Sequence, residues 1–503
     1  MRTKKNYQWL LADLIAGIFF ALAFAPFNFW PLIFVALTIL FASWQRVSPR
    51  QAALRGYLFG IGCFGLGVSW VFVSIYTFGG ANIFIAVLLT TLFCGFWALF
   101  PAIAGYLSVR IFGHFSTQNI FILPIIWILV EFIRGYWVLN GFPWLQIAYS
   151  QLDTIYAGFI PIIGAYGTGF LVALVAMIFV RIYHLRRFHS SLIISVFAIL
   201  IAGYMLKGQQ WTHAIGDPIK VTLIQGNIAQ DKKWQPEFKK QTLDLYQDMT
   251  QQHWDSQVIF WPETAIPAFL HEVDEQYLAP LHQLARIHQT DLVVSLPVKD
   301  AATGQYFNSV LALGEGRYLY KKIHLLPFGE YLPLQPFSGF ILNSLKILPV
   351  GSFSPGAKDQ SLLVAGGYPF ITTICYEDVF AEKDISRLSK AAYLVNVTND
   401  GWFGDSIEPH QHMQIARMRA LESGRYLVRA TNTGLTAIVG PDGTILQQLP
   451  LFKTMALTAE IVPMSGITLI TRIGDLKVIL ILVIVLGGIY IYYFVQVKMQ
   501  RNG

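Results

Sequence analysis

The sequence predicts a multi-pass α-helical membrane bundle of about eight transmembrane helices with one α/β domain inserted ahead of the last helix. Three observations predict it. The first is composition: of 503 residues, 54% are hydrophobic and only 13% charged, and the mean hydropathy is +0.51. A soluble globular chain carries about 25% charged residues, so a purely soluble enzyme is excluded. The surplus of burial-competent residues excludes disorder as well. The second is a set of apolar runs near 8–25, 29–44, 54–76, 83–107, 119–136, 158–182, 189–206 and 477–495. These approach the roughly 20 residues that cross a bilayer, with 29–44 and 189–206 the shortest. The third is charge placement. Residues 1–206 hold 11 Lys/Arg against three acids (Asp13, Glu131 and Asp153), whereas the remainder holds 25 basic and 26 acidic residues. The net positive charge therefore belongs to the apolar half, a mark of membrane insertion rather than of nucleic-acid binding.

Each boundary follows from these patterns. Residues 1–206 read as a membrane domain of about seven spans, 207–470 as a water-facing domain, and 471–503 as a final span and tail. Basic residues cluster as Arg2, Lys4 and Lys5; Arg46, Arg50 and Arg55; Arg110; Arg181, Arg186 and Arg187; and Lys498 with Arg501. The connections 25–28 and 77–82 hold none. With eight spans, every cluster falls on one side, so both termini are cytoplasmic and 207–470 is exterior. The competing reading of the N-terminus is a cleaved signal peptide ending near Ala21-Leu22-Ala23. Asp13 interrupts its apolar run, and further spans follow with consistent charge alternation.

Within 207–470, strand-like runs fall at 219–225, 257–261, 291–296, 308–313, 317–324, 369–375, 393–397, 426–431 and 436–439, with helical periodicity at 236–253, 274–288 and 410–423. In the first helix Phe238, Thr242, Leu245, Tyr246 and Met249 make one mainly apolar face. Strands alternating with amphipathic helices imply helices covering a sheet.

Several motifs bear on chemistry. Gly60-Ile61-Gly62-Cys63-Phe64-Gly65 matches a dinucleotide pattern. It lies inside an apolar run with no preceding strand, so close helix packing explains it better. Cys63 and Cys94 sit in apolar runs, and Cys375 is alone in the inserted domain. A lone cysteine is ordinarily a small buried hydrophobe. Cys375, however, closes an apolar strand and is followed at once by Tyr376-Glu377-Asp378. A thiol at a strand end is presented from a rigid edge, where backbone N–H groups can meet an oxyanion. A nucleophilic thiol needs a base and a charge partner. Glu263 ends the run Val258-Ile259-Phe260-Trp261-Pro262-Glu263, whose apolar flank would raise its pKa toward that of a general base; the plainer reading is an exposed loop carboxylate. Lys322 shares a strand face with Tyr320 and His324, and could stabilise an oxyanion or simply guard an edge. His410 and His412 could be read as a metal pair. No third and fourth ligand at recognised spacing accompanies them, which favours a loop or helix-start role.

Trp261-Pro262-Glu263-Thr264, Lys322-Ile323-His324-Leu325-Leu326-Pro327-Phe328-Gly329-Glu330 and Ile374-Cys375-Tyr376-Glu377 resemble the Glu–Lys–Cys signature of the nitrilase superfamily. With the membrane topology, the whole chain resembles the apolipoprotein N-acyltransferase family. Further matching segments are Gln225-Gly226-Asn227-Ile228 with Trp234, Phe307-Asn308-Ser309, and the stretch from Asn396 to Gly404. The resemblance implies an α-β-β-α sandwich, with Glu263 as base, Lys322 as oxyanion stabiliser and Cys375 as nucleophile. Glu330, Tyr376, Glu377, Trp234, Asn308 and Trp402 become candidate supporting or substrate-binding residues. It further implies a bacterial inner-membrane enzyme with a periplasmic catalytic domain and no cofactor or metal. Its partners would be a phospholipid acyl donor, a diacylglyceryl apolipoprotein acceptor and the bilayer, with no nucleic acid.

Two other functions compete. A membrane-tethered amidase of the same fold would need one anchoring span rather than eight. A transporter or scaffold would use the exterior domain only to bind ligand. Few ionisable residues lie inside the apolar runs, and Glu131 with Arg134 at i, i+3 is expected to form a pair rather than a relay.

Overall fold

The computed structural model describes residues 2–113, 115–185, 189–336, 339, 352–381 and 385–502, so Arg186 and Arg187 lie outside the described residues. The chain divides into two compact units. Met1–Phe72, Asn82–Gln209 and Arg472–Gly503 form the first; Val73–Ala81 and Gln210–Thr471 form the second.

The apolar runs of the first unit become α1 (Arg2–Leu22), α2 (Leu32–Ser43), α3 (Pro49–Gly67), α4 (Ile83–Phe112), α5 (Ile122–Tyr136), α6 (Ile160–Leu185), α7 (Ser190–Lys207) and a terminal helix Asp475–Asn502. Among the described residues four helices are long and apolar enough to cross a membrane: Ile83–Phe112, Ile155–Leu185, Ser190–Lys207 and Asp475–Met499. Pro49–Gly67 joined with Val71–Phe78 would make a fifth, while Tyr7–Leu22 and Leu32–Ser43 are shorter apolar helices.

Local chemistry sets several of these ends. Ser48 and Gln51 form a capping box ahead of Pro49 at the start of α3. The run expected to continue over 54–76 breaks after Gly67, where the Trp70 indole donates to the Gly67 carbonyl at 3.1 Å. That bond satisfies a carbonyl which the helix end leaves without a partner. Gly60 and Gly62 allow backbone-to-backbone packing. A Cβ on Gly60 would strike the Ala98 backbone and one on Gly62 the Leu14 carbonyl, whereas Gly65 faces open space. The Gly-rich pattern thus serves helix contact. The expected Glu131–Arg134 pair is replaced by other bonds. Arg134 donates to the carbonyls of Phe142 and Trp144 at 2.9 and 2.6 Å, and the Trp127 indole donates to Glu131 at 3.2 Å. Carbonyls outside a helix need donors in apolar surroundings, and the guanidinium supplies them.

In the second unit, strand alternation separates the layers. The elements are β1 (Ile219–Gln225), α8 (Pro236–Gln251), β2 (Val258–Phe260), α9 (Ala279–Ile287), β3 (Asp291–Lys299), β4 (Tyr306–Leu313), β5 (Arg317–Lys321), β6 (Leu363–Ala365), β7 (Tyr368–Ile374), β8 (Tyr393–Thr398), α10 (Glu408–Ser423), β9 (Leu427–Thr431), β10 (Ala437–Val439), β11 (Ile445–Gln448) and β12 (Met455–Ile461). They build two six-stranded sheets, ordered β12-β1-β2-β3-β4-β5 and β11-β10-β9-β8-β7-β6. In each sheet three parallel strands, β1-β2-β3 or β7-β8-β9, form the centre. One face of each sheet contributes to a shared core: Val221, Leu223, Phe260 and Val310 pack with Phe370, Val395, Val428 and Ile438. Residues of opposite parity face helices. Ile224, Ile259 and Leu292 meet Tyr246, Leu281 and Ala285, while Ile371, Leu394 and Leu427 meet Met413, Ala416 and Ala420.

Two differences from the sequence reading matter for the site. The strand expected over 317–324 stops at Lys321, because the N–H groups of Ile323 and His324 turn to the Glu377 carboxylate instead of a neighbouring strand. Met455–Ile461, unforeseen, pairs along all of β1; its Ala- and Glu-bearing sequence carries little intrinsic strand preference, so the exposed edge of β1 decides it.

The helix packing gives a direct test. Gly60→Val and Gly62→Val should each destabilise the bundle by about 1–3 kcal/mol through overpacking. Gly65→Ala should be neutral or stabilising through better helix propensity. Thermal unfolding in detergent checks this, and equal effects at all three positions would contradict the packing role.

Candidate active site

Three strand ends bear the candidate residues. Glu263 follows β2, Lys322 follows β5 and Cys375 follows β7. Lys322 has 1% side-chain exposure, and its Nζ lies 2.8 Å from Glu330 Oε2 and 4.0 Å from Glu263 Oε1. The Asn308 amide, projecting from β4, donates to Glu263 Oε1 at 2.7 Å and to Glu330 Oε1 at 3.1 Å. The Leu326 N–H donates to Glu330 Oε2 at 2.8 Å. One cation and one amide thereby hold two carboxylates that would otherwise repel.

Glu377 joins this group to the cysteine. Its carboxylate accepts the N–H groups of Ile323, His324 and Ile374 at 2.7, 2.9 and 2.8 Å, and the Tyr320 hydroxyl at 3.0 Å. The residues just after Lys322 and the turn that begins at Cys375 are thus tied to one side chain. Cys375 has φ +51°, a region that non-glycine residues enter at a cost of about 1–3 kcal/mol unless the surroundings impose it. Thr264, next to Glu263, has φ +49°. Its N–H donates to Ser295 Oγ at 3.0 Å, and Lys233 Nζ donates to the Glu263 carbonyl at 2.9 Å.

The charges act on one another. Burial pushes the Glu263 carboxyl up; Lys322 pulls it back, while Glu330 adds to the rise. Burial also raises the Cys375 thiol well above its usual range, and the Glu263 charge acts in the same direction, opposed by Lys322. Burial alone would lower Lys322, but Glu330 and Glu263 outweigh it and keep the ammonium charged. The thiol is thus held protonated within a set of charges that act on one another.

The remaining candidates differ in placement. Tyr376 is buried, its ring edge-on to Phe380 at 5.6 Å. Trp234 is 50% and Trp402 41% exposed, and neither joins the hydrogen-bonded cluster. Trp402 meets the Phe78 ring edge-on at 5.5 Å.

A second buried charge layer supports the cysteine turn. His412, in the first turns of α10, faces Asp378 Oδ1 through Nε2 at 2.8 Å and Asp400 Oδ1 through Nδ1 at 2.9 Å. Arg429 donates to Asp378 at 3.0 Å, Asn396 at 2.5 Å and Asp400 at 3.2 Å, and the Asn396 amide donates to the Cys375 carbonyl at 3.3 Å. Asp400, Glu408 and His412 have ligand-type atoms within 4.8 Å of one another. Both ring nitrogens of His412 already face carboxylates, however, and an imidazolium has no lone pair for a metal. The sequence reading missed Lys233, Asp378, Asp400, His412 and Arg429 as parts of the site. Arg429 carried a signal, a charge centred in the apolar strand Leu427-Val428-Arg429-Ala430-Thr431. Lys233 carried none, since Asp231-Lys232-Lys233 reads as a solvated charge run.

The layer predicts a pH-dependent stability. Burial and Arg429 push His412 down, but Asp378 and Asp400 outweigh them and hold it at about 10. The reference value for an unfolded chain is about 6.5. The stabilisation from His412 is therefore complete below that value and is lost as pH rises toward 10. The difference in unfolding midpoint between wild type and His412→Asn should be largest near pH 6 and shrink by pH 10; a constant difference would refute the charged imidazolium.

Comparison with known proteins assigns the family. Residues 16–178 match the apolipoprotein N-acyltransferase N-terminal domain, and residues 220–467 match the carbon-nitrogen hydrolase family. The chain is 48% identical over 468 residues to the apolipoprotein N-acyltransferase of Methylococcus capsulatus, covering 93% of this chain and 92% of that relative. It is 40% identical over 475 residues to the enzyme of that name from Nitrosomonas europaea, covering 93% and 94%. It is 39% identical over 478 residues to that of Coxiella burnetii, covering 94% and 98%. With both halves matched and identity sustained along nearly the whole length, the chain belongs to the apolipoprotein N-acyltransferase family, its second unit being a nitrilase-like carbon-nitrogen hydrolase domain.

Proposed function

We propose that this chain transfers a fatty acyl chain from the sn-1 position of a phospholipid to the N-terminal amino group of an S-diacylglyceryl-cysteine apolipoprotein, through an acyl-thioester on Cys375. The observation that carries this reading is the buried cluster in which Glu263, Lys322 and Cys375 act on one another, in a chain whose near full-length relatives bear this enzyme's name.

Cys375 Sγ attacks the ester carbonyl while Glu263 takes the thiol proton. The carbonyl electron pair moves onto oxygen, where the Lys322 ammonium neutralises it. Collapse breaks the ester C–O bond, and Glu263 returns the proton to the departing glycerol oxygen, releasing a lysophospholipid. In the second half-reaction the amine attacks the thioester, Glu263 accepts a proton from nitrogen, and the sulfur leaves and is reprotonated. An ester becomes a thioester and then an amide, so no nucleotide is needed. Asn308 and Glu330 hold Glu263 and Lys322, Glu377 holds the cysteine turn, and Tyr376, Trp234 and Trp402 are the residues assigned to positioning or lipid binding.

The same reading makes the chain an inner-membrane protein of eight spans with a periplasmic α-β-β-α sandwich over 207–470. Its support is the one-sided basic loops of the sequence and the two-sheet core flanked by helices. A protein with both substrates anchored in a bilayer leaflet gains from membrane tethering, because the thiol then stays near the lipid surface.

Two outcomes follow. Enzyme given phospholipid without acceptor should release lysophospholipid and accumulate a hydroxylamine-labile acyl adduct on the Cys375 peptide; Cys375→Ala should abolish both, and Glu263→Gln should slow acylation by roughly 10²–10⁴-fold. Normal turnover without any adduct, followed by mass spectrometry, would favour direct transfer. For topology, alkaline phosphatase fused near Gly304 should be active, and an inactive fusion with an intact cytoplasmic reporter would reverse the orientation.

A further inference from the structure

Lys322 is accompanied by a second buried ammonium. Lys233, 3% exposed, lies in the loop between β1 and α8. Among the described residues the Lys233 Nζ has one hydrogen-bond acceptor, the neutral backbone carbonyl of Glu263 at 2.9 Å. An ammonium carries three N–H donors, and a buried cation without a carboxylate at ion-pair distance is costly unless negative charge arrives to meet it. Lys322 differs, being shared between Glu330 and Glu263. The loop that delivers Lys233 is braced. The Ile228 N–H donates to Asn432 Oδ1 at 2.9 Å, Gln230 Oε1 accepts from the Asn399 amide at 2.6 Å, and the Lys233 N–H bonds the Ala229 carbonyl at 3.1 Å. The groups that act on the Lys233 charge are Glu263 and Cys375, the base and the thiol themselves.

We propose that Lys233 is a positioning residue of the acyl-transfer site: it pins the Glu263 backbone where the chain turns at Thr264, and its ammonium supplies positive field to the negative charge that develops at Cys375. The assignment rests on the Glu263–Lys322–Cys375 reading above. Burial lowers Lys233 to about 8, against the pull of Glu263 and Cys375. Its charge is therefore present at neutral pH and lost as pH rises through that value. Lys322, whose ammonium is stabilised by Glu330 and Glu263, and Cys375, raised well above its usual range, keep their protons over the same interval. An alkaline fall in acylation then belongs to Lys233.

The test uses the full-length enzyme in detergent micelles with phosphatidylethanolamine and no acceptor, so that the acceptor amine contributes no titration. The rate of adduct formation at Cys375 is followed by peptide mass from pH 6.5 to 10. Lys233→Met should acylate about 10- to 100-fold more slowly at pH 7, with phospholipid half-saturation within about twofold of wild type. Lys233→Arg should restore most of the rate and carry it past the alkaline fall of the wild type, because a guanidinium does not titrate there. A role in folding alone would lower the unfolding midpoint without moving that alkaline midpoint. Wild-type kinetics in Lys233→Met, or an unshifted alkaline fall in Lys233→Arg, would overturn the proposal; should Lys233→Met fail to fold, the Lys233→Arg profile decides. Cys375→Ala separates the two readings. An adduct surviving in that variant defeats the triad, whereas its loss beside unaffected Lys233 variants defeats the Lys233 role alone.

Discussion

A lysine ammonium at 1% exposure is the constraint around which the second unit is arranged. Removing such a charge from water costs several kcal/mol, and the cost is offset only by close carboxylates whose other lone pairs are also satisfied. Lys322 therefore requires Glu330 and Glu263, and these require Asn308 and the Leu326 N–H. The residues involved come from the ends of β2 and β5, from β4, and from the loop after β5, so the ion can be buried only once that sheet is assembled. Removing one partner of such a set leaves an uncompensated buried charge, which is more damaging than never having built the pair.

The same logic repeats one layer deeper. Cys375 occupies a left-handed backbone conformation, and its turn is held by Glu377 on one side and by Asp378, bound to His412 and Arg429, on the other. The Asp378 and Asp400 carboxylates cancel an imidazolium and a guanidinium, and burial together with Asp400 pushes the third carboxyl, Glu408, well above its usual range, so the layer can be dry without a net charge. It fastens the Cys375 turn to the turn at Asp400–Phe403, which carries Trp402, and to the start of α10. The turn that bears the sulfur is thus tied to buried charges behind it as well as to the strand that precedes it.

The first unit solves a different problem with smaller parts. Lipid-like surroundings offer backbone groups no water, so helix breaks need internal donors and helix contacts need small residues. Trp70, Arg134 and the Gly60–Gly62 pair meet those two needs.

By itself the sequence determined the division into an apolar, basic half and an α/β insert, because composition and charge asymmetry are sums that do not depend on folding. It also singled out Glu263 and Cys375 as residues that end apolar strand-like runs, and Lys322 by its motif within an expected strand. In the folded sheet Val221 and Leu223 lie on one face and Ile224 on the other, as strand parity requires. Only tertiary structure decided which charges meet. Arg134 found carbonyls rather than Glu131, the strand before Lys322 ended where Glu377 captured its N–H groups, and Lys233 left an apparently solvated charge run for the carbonyl of Glu263. Hydrophobic burial is read from local pattern, whereas the partner of a buried charge is set by distance in space between segments far apart in the chain, and no local pattern encodes that distance.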